Sequence, residues 1–222
     1  MDNKTNFGHL EGKIININKL PFLDDILAGN YFLGIMEVNR NERRSDYIPI
    51  IFSFVDLKKH PMLINNGKFS IDGSFRALMV YSSNRNQKFQ VFYPSRIVEQ
   101  TKDRQNLINK AIDKNSINLT GKIERMSKIK TIRSKKEMLK FLLRVNESQP
   151  KYSSLISCVA WRRESEFINM LGEGEEISIQ GCIQSQLPYY SHYSKKFVYG
   201  MNPNLKNCVS VFKVKSEDEI EV

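Results

Sequence analysis

At 222 residues the chain has room for one large domain or for two of about 100 residues each. A hydrophobic content of 41% suffices for packed cores and excludes a disordered chain. The net charge of +10 points to polyanionic partners, and no apolar run approaches the ~18 residues of a membrane span.

The start, MDNKTNFGHLEGK, has no apolar signal-peptide core, so a soluble cytoplasmic protein is expected. Within LEGKIININKL, from Leu10, the segment GKIININ reads as a first strand. YFLGIMEVNR reads as a second, with Met36 and Val38 on one face and Glu37 and Asn39 on the other. YIPIIFSFV is β-branched and aromatic, a third strand. DLKKHPMLINNG suits one or two helical turns. KFSIDGSFRALMV is a fourth strand, with Gly73 where a strong bend needs no side chain, and KFQVFY a fifth.

VEQTKDRQNLINKAIDKNSIN (Val98–Asn118) is polar and lacks Gly and Pro. It reads as a join, with a short helix over Asp103–Lys114. From Thr101 to Lys151, 14 Lys and Arg stand against five Asp and Glu, so this stretch carries nine of the ten net charges. Such a strip attracts polyanions by releasing their condensed counterions.

The second half repeats the first. Leu119–Ser127, Lys140–Glu147 and Leu155–Trp161 read as strands, ESEFINML as a helix, and Glu176–Ser185 and Lys195–Tyr199 as strands. CVSVFKVK follows as a further strand. Gly12 maps to Gly121 at an offset of 109, Val38 to Val145 at 107, and Gly73 to Gly181 at 108. Phe54 maps to Trp161 at 107 and Phe89 to Phe197 at 108.

Five short strands with a helix between the third and fourth give the order of an oligonucleotide/oligosaccharide-binding (OB) barrel. The expected fold class is therefore all-β with short helices, as two tandem five-stranded Greek-key OB barrels. The expected boundaries are 8–98 for the first, 99–117 for a basic linker, 118–215 for the second and 216–222 for an acidic tail.

VNRNERRSDYIPIIF and CVAWRRESEFINMLGEGEEISIQGCIQS carry a family resemblance. They resemble the bacterial single-stranded DNA-binding proteins, and also the primosomal replication protein B branch of that superfamily. The pattern is a Val-Asn-Arg-like strand end, a basic hairpin, an apolar strand ending in an aromatic, a short helix, and a strand with a central glycine. The resemblance covers about 80 residues in each copy. It implies non-catalytic, largely sequence-independent binding of single-stranded DNA in replication, recombination or repair. Family members usually carry one OB domain per chain and assemble as dimers or tetramers, so a homodimer of this chain would present four.

Sequence-tolerant binding needs cations to follow phosphates and aromatic faces to stack bases. The hairpin between strands four and five offers Arg76, Tyr81, Arg85 and Lys88 in the first copy. In the second it offers Tyr189, Tyr190, Tyr193, Lys195 and Lys196. The resembled family places a stacking aromatic on this arm. Arg40, Arg43 and Arg44 sit on the first copy's hairpin between strands two and three. In the second copy the charge moves to the first strand, with Lys122, Arg125, Lys128 and Lys130. Trp161 ends the third strand there, followed by Arg162 and Arg163 as the better phosphate contacts.

No catalytic device is visible. GEGEE (Gly172–Glu176) lacks the Lys-Ser/Thr of a phosphate loop and reads as a turn. His9, His60 and His192 lack metal-ligand spacing, and Cys158, Cys182 and Cys208 read as reduced, packed thiols. No metal and no cofactor are expected. The acidic tail KSEDEIEV is a candidate for recruiting a helicase, primase or polymerase. A competing reading is a primosome-type adaptor whose OB surfaces bind helicase or primase, with weak single-stranded DNA or RNA binding. The fold alone does not separate the two.

Overall fold

A computed structural model describes residues 6–19, 30–40, 45–65, 67–81, 86–100, 112–130, 137–146, 153–185, 190–191, 196–197 and 207–216. The first copy comprises β1 (Asn6–Lys19), β2 (Tyr31–Asn39), β3 (Ser45–Ser53), α1 (Phe54–Lys59), a 3-10 turn (Pro61–Leu63), β4 (Lys68–Tyr81) and β5 (Asn86–Glu99). The second comprises β6 (Asn115–Lys130), β7 (Glu137–Asn146), β8 (Ser153–Trp161), α2 (Arg162–Leu171) and β9 (Glu176–Gln184). A small hairpin, β10 (Tyr190–Ser191) and β11 (Lys196–Phe197), and then β12 (Cys208–Ser216) complete it.

Each copy closes into a barrel. The first runs β1-β2-β3-β5-β4 and back to β1, and the second runs β6-β7-β8-β12-β9 and back to β6. β3 and β5 are parallel, with Ile50 opposite Phe92, and so are β8 and β12, with Cys158 opposite Val209. This is the OB strand order expected from the sequence.

The repeat extends to irregularities. β1 and β2 slip register between Ile14 and Asn16, and β6 and β7 slip between Ile123 and Arg125, at the same offset of 109. Such bulges bend the strand that opens each barrel. A Cβ on Gly12 would collide with the Glu37 carbonyl, and one on Gly121 with the equivalent carbonyl of Arg144. The backbones thus approach closely at matching places, and only glycine fits there.

Alternation sets the cores. Leu10, Ile14, Met36, Val38, Ile48, Ile50, Phe52, Phe69, Ile71, Phe75 and Phe92 are buried in the first barrel. Leu119, Ile123, Phe141, Leu143, Ile156, Cys158, Ile177, Ile179, Val209 and Val211 are buried in the second. Ile168 of α2 is buried as well. The three cysteines are free. Burial pushes the Cys158 thiol well above its ordinary pKa, with Cys208 adding to the effect.

Four expectations change. The fifth strand of the second barrel is β12, not Lys195–Tyr199, whose described residues Lys196 and Phe197 belong to the small hairpin. Phe92 therefore corresponds to Val209, so Phe89 and Phe197 are not equivalent. Trp161 corresponds to Ser53 rather than Phe54: they pair near the start of their barrels' second strands, with Met138 and Tyr31, and each is the N-cap of the following helix. Phe54 itself is 45% exposed, with the Lys58 ammonium 4.7 Å from its ring centre. Within Asp103–Lys114, residues 112–114 are not helical. They are tied by backbone hydrogen bonds from Glu11 to Lys114 and from Asp113 to Asn39, and the buried Asp113 carboxylate accepts the Asn39 N–H at 2.8 Å.

The chain divides into two compact units. One is built on His9–Asn115 and takes in the described residues of Gln184–Asn207. The other is built on Ser116–Ile183 and takes in Asn6–Gly8 and β12.

Candidate nucleic-acid interface

Directly opposed residues on antiparallel strands share a face. Three rows therefore cross the outside of the second barrel: Arg125–Leu142–Ser157, Ser127–Lys140–Val159 and Met138–Trp161. The inward rows hold Leu139, Phe141, Leu143, Cys158 and Ala160, all buried. On the outer side Arg125 and Lys140 are exposed and Trp161 is half-buried. Lys122 and Lys128, elsewhere on β6, are also exposed. These four cations form no ion pair with a described residue. Arg144 differs: it pairs with Glu124, whose carboxyl is held below its ordinary pKa mainly by that hydrogen bond.

The corner between β8 and α2 is built at a structural cost. In the first barrel, Ser53 caps α1 with a capping box: its hydroxyl accepts the Asp56 N–H at 3.2 Å, and the Asp56 carboxylate accepts the Ser53 N–H at 2.8 Å. At the equivalent position Trp161 supplies no cap hydrogen bond. The next residue, Arg162, has φ of 51°, a left-handed conformation unfavourable for a side-chain-bearing residue. Arg162 and Arg163 are both exposed. The missing cap and the left-handed arginine thus fall at one corner, on the barrel that carries the exposed cations.

The acidic turn lies along the β6 bulge. The Glu173 carboxylate accepts the Met126 N–H at 2.7 Å, and Gly174 N–H donates to the Ile123 carbonyl. Gly172 and Gly174 have φ of 96° and 94°, which explains the glycines and agrees with a turn.

The corresponding face of the first barrel is apolar. Tyr31 stands where the second barrel has Met138, and Leu33 where it has Lys140. Tyr31, Leu33, Phe89 and Tyr93 pack over buried Ile51, Leu78 and Val91. Arg76 is engaged here, with its Nε donating to Ser74 Oγ at 2.9 Å and its guanidinium 5.1 Å from the Tyr93 ring centre. Arg40 donates to the buried Asp46 carboxylate at 2.7 Å.

Of the other expected contacts, Arg43, Arg44, Arg85, Tyr189, Tyr193 and Lys195 lie outside the described residues. Tyr81, Lys88, Lys130, Tyr190 and Lys196 are described only as strand backbone: Tyr81 pairs with Asn86, Lys88 with Met79, Lys130 with Glu137, Tyr190 with Phe197 and Lys196 with Ser191. Two further exposed residues of the second barrel, Lys140 on β7 and Phe212 on β12, carry no signal in the sequence alone. The row of Lys140 with Ser127 and Val159 follows only from the strand register. The position of Phe212 follows only once β12 is the fifth strand of the barrel.

Among the described residues no helix is long and apolar enough to cross a membrane, and no group of three or more His, Cys, Asp or Glu could hold a metal ion.

Residues 114–196 match the single-strand binding protein family. Two solved structures of the single-stranded DNA binding protein from Thermus aquaticus superpose along nearly the whole chain. The wild-type protein gives a TM-score of 0.61 at 12% identity, covering 95% of this chain and 92% of that one. A deletion mutant of the same protein, which also carries a point substitution, gives 0.62 at 12% identity, covering 95% and 93%. A search of the curated proteins gives no match. The resemblance read from the motifs is borne out: this is a tandem OB-fold protein similar to the single-strand binding protein family, and the family match lies on its second barrel.

Proposed function

We propose that the chain binds single-stranded DNA without catalysis and largely without sequence preference, in replication, recombination or repair. The carrying observation is the β8–α2 corner: Trp161 takes the place of a helix cap and Arg162 sits in a left-handed conformation, on the barrel with exposed Lys122, Arg125, Lys128 and Lys140. Cations along the backbone and a ring for a base are what sequence-tolerant binding requires. The family match over residues 114–196 and the names of the superposed structures support the same reading.

Trp161 is the one tryptophan, so its emission reports on this corner. Titration with oligo(dT) is expected to quench it saturably, with affinity falling steeply as salt rises. No binding at low salt would sink the reading.

A second reading is an adaptor that binds a helicase or primase. It is favoured by Phe54, Val55, Met62 and Ile64, which stand exposed on α1 and the turn after it. A tight protein complex with only weak oligo(dT) binding would select it. A homodimer, presenting four barrels, is tested by the mass of the chain in solution.

A further inference from the structure

We infer that Phe212 extends the nucleic-acid surface of the second barrel onto its fifth strand, as a base-stacking ring beside Trp161. The inference rests on the single-stranded DNA reading above and names a contact within that site.

The placement follows from register. β8 and β12 run parallel, with Cys158 opposite Val209 and Val159 opposite Ser210. Extending that register by two residues places Phe212 alongside Trp161 at the end of β8. Val209 and Val211 point into the core and are buried, so Phe212 points out, and it is 57% exposed. The two rings therefore share the outer face, next to the row that carries Lys140.

What sets Phe212 apart from the other exposed apolar residues is its setting. Here the surroundings are cationic: Lys140 on β7, Arg125 on β6, and Lys213 and Lys215 on β12 itself are all exposed. An apolar protein partner would not select that setting, whereas a polyanion with stackable bases would. The first barrel lacks the feature. By the same register Phe212 corresponds to Ser95, and Trp161 to Ser53. The strand path inferred here thus leaves β6, crosses the β8–α2 corner and continues over β12.

The test uses the full chain and fluorescence-labelled oligo(dT) at fixed salt. Phe212→Ala should bind about five- to 150-fold more weakly, the range for loss of one stacked base. Its melting temperature and its salt slope should stay those of the wild type, because an exposed ring carries neither core packing nor charge. If Phe212→Ala binds as tightly as wild type, the inference is overturned while the single-stranded DNA reading stands. If the wild type itself does not bind, both fall. Should Phe212→Ala fold poorly, Trp161→Phe combined with Phe212→Trp decides. Quenching of the introduced indole by oligo(dT) supports the contact, and unchanged emission under saturating oligo(dT) overturns it.

Discussion

The buried carboxylate of Asp46, on β3, accepts the backbone N–H of Ser185 at 2.9 Å, across 139 residues of chain. The Ser185 hydroxyl returns the tie by accepting the Tyr47 N–H at 2.8 Å. Arg40 completes the cluster with its 2.7 Å hydrogen bond to the same Asp46 oxygen. Burial pushes the Asp46 carboxyl above its ordinary pKa of 3.8, although the Ser185 and Arg40 contacts pull it down. The folded state therefore holds this proton more tightly than the unfolded chain does. That contribution is complete below the unfolded pKa and is lost as pH rises through the folded one.

Asp46→Ala should thus cost about 2–3 kcal/mol at neutral pH, by stranding Arg40 and the Ser185 N–H. Asp46→Asn separates the charge from the shape. The stability of wild type relative to Asp46→Asn should be greater at acidic than at neutral pH, because the buried carboxyl takes up its proton more readily than it does in the unfolded chain. Denaturant titrations at the two pH values check this, and a difference that shrinks on acidification would contradict it.

The same cluster explains part of what the sequence did not convey. NRNERRSD reads as a basic hairpin, yet its Asp46 faces inward and holds Arg40. Spacing along the chain does not reveal that one arginine is taken. The repeat was legible because glycines at 12 and 121 are demanded by close carbonyls, a constraint that leaves little choice of residue. The fifth strand was not, because nine more residues separate Gly181 from Val209 than separate Gly73 from Phe92. A decoy lay in that stretch: Val91-Phe92 and Val211-Phe212 share a dipeptide, but the first Phe points in and the second out. Trp161 against Phe54 was a similar decoy, one residue out of register. The cations of β6 were legible because charge density shows in sequence without any register.

The two helix starts make a matched experiment. Ser53→Ala removes the capping box of α1 and should lower stability by about 1 kcal/mol. In the second barrel the third helical residue is Glu164, so Trp161→Ser would create a Ser-x-x-Glu capping box. Trp161→Ser should therefore be about 1 kcal/mol more stable than Trp161→Ala, with both losing oligo(dT) affinity alike. Equal melting curves for the two variants would contradict the assignment of Trp161 as a displaced cap.

The two barrel faces should differ in salt response. Arg125→Gln and Lys140→Gln each remove an exposed cation of the outer rows that pairs with no described residue. Each should flatten the slope of log affinity against log salt by about 0.7, the single-strand value per phosphate contact. Arg76→Gln should leave the slope unchanged, because its guanidinium is already held by Ser74 and Tyr93. A flatter slope for Arg76→Gln would bring the first barrel's apolar face into the binding path.

Arg162 offers the sharpest separation of stability from binding. Its φ of 51° is unfavourable for any residue with a Cβ, and glycine adopts it without penalty. Arg162→Gly should therefore stabilise the chain by about 1 kcal/mol, seen as a higher denaturant midpoint at constant m-value. The exposed guanidinium is lost in the same step. If it contacts a phosphate, oligo(dT) affinity should fall and the salt slope should flatten by about 0.7. Arg162→Ala divides the two effects, since it keeps the backbone strain and removes only the cation. It should match Arg162→Gly in binding and wild type in stability. A gain in stability with unchanged binding would make the strained arginine a packing accident, and the β8–α2 corner would then rest on Trp161 and Arg163 alone.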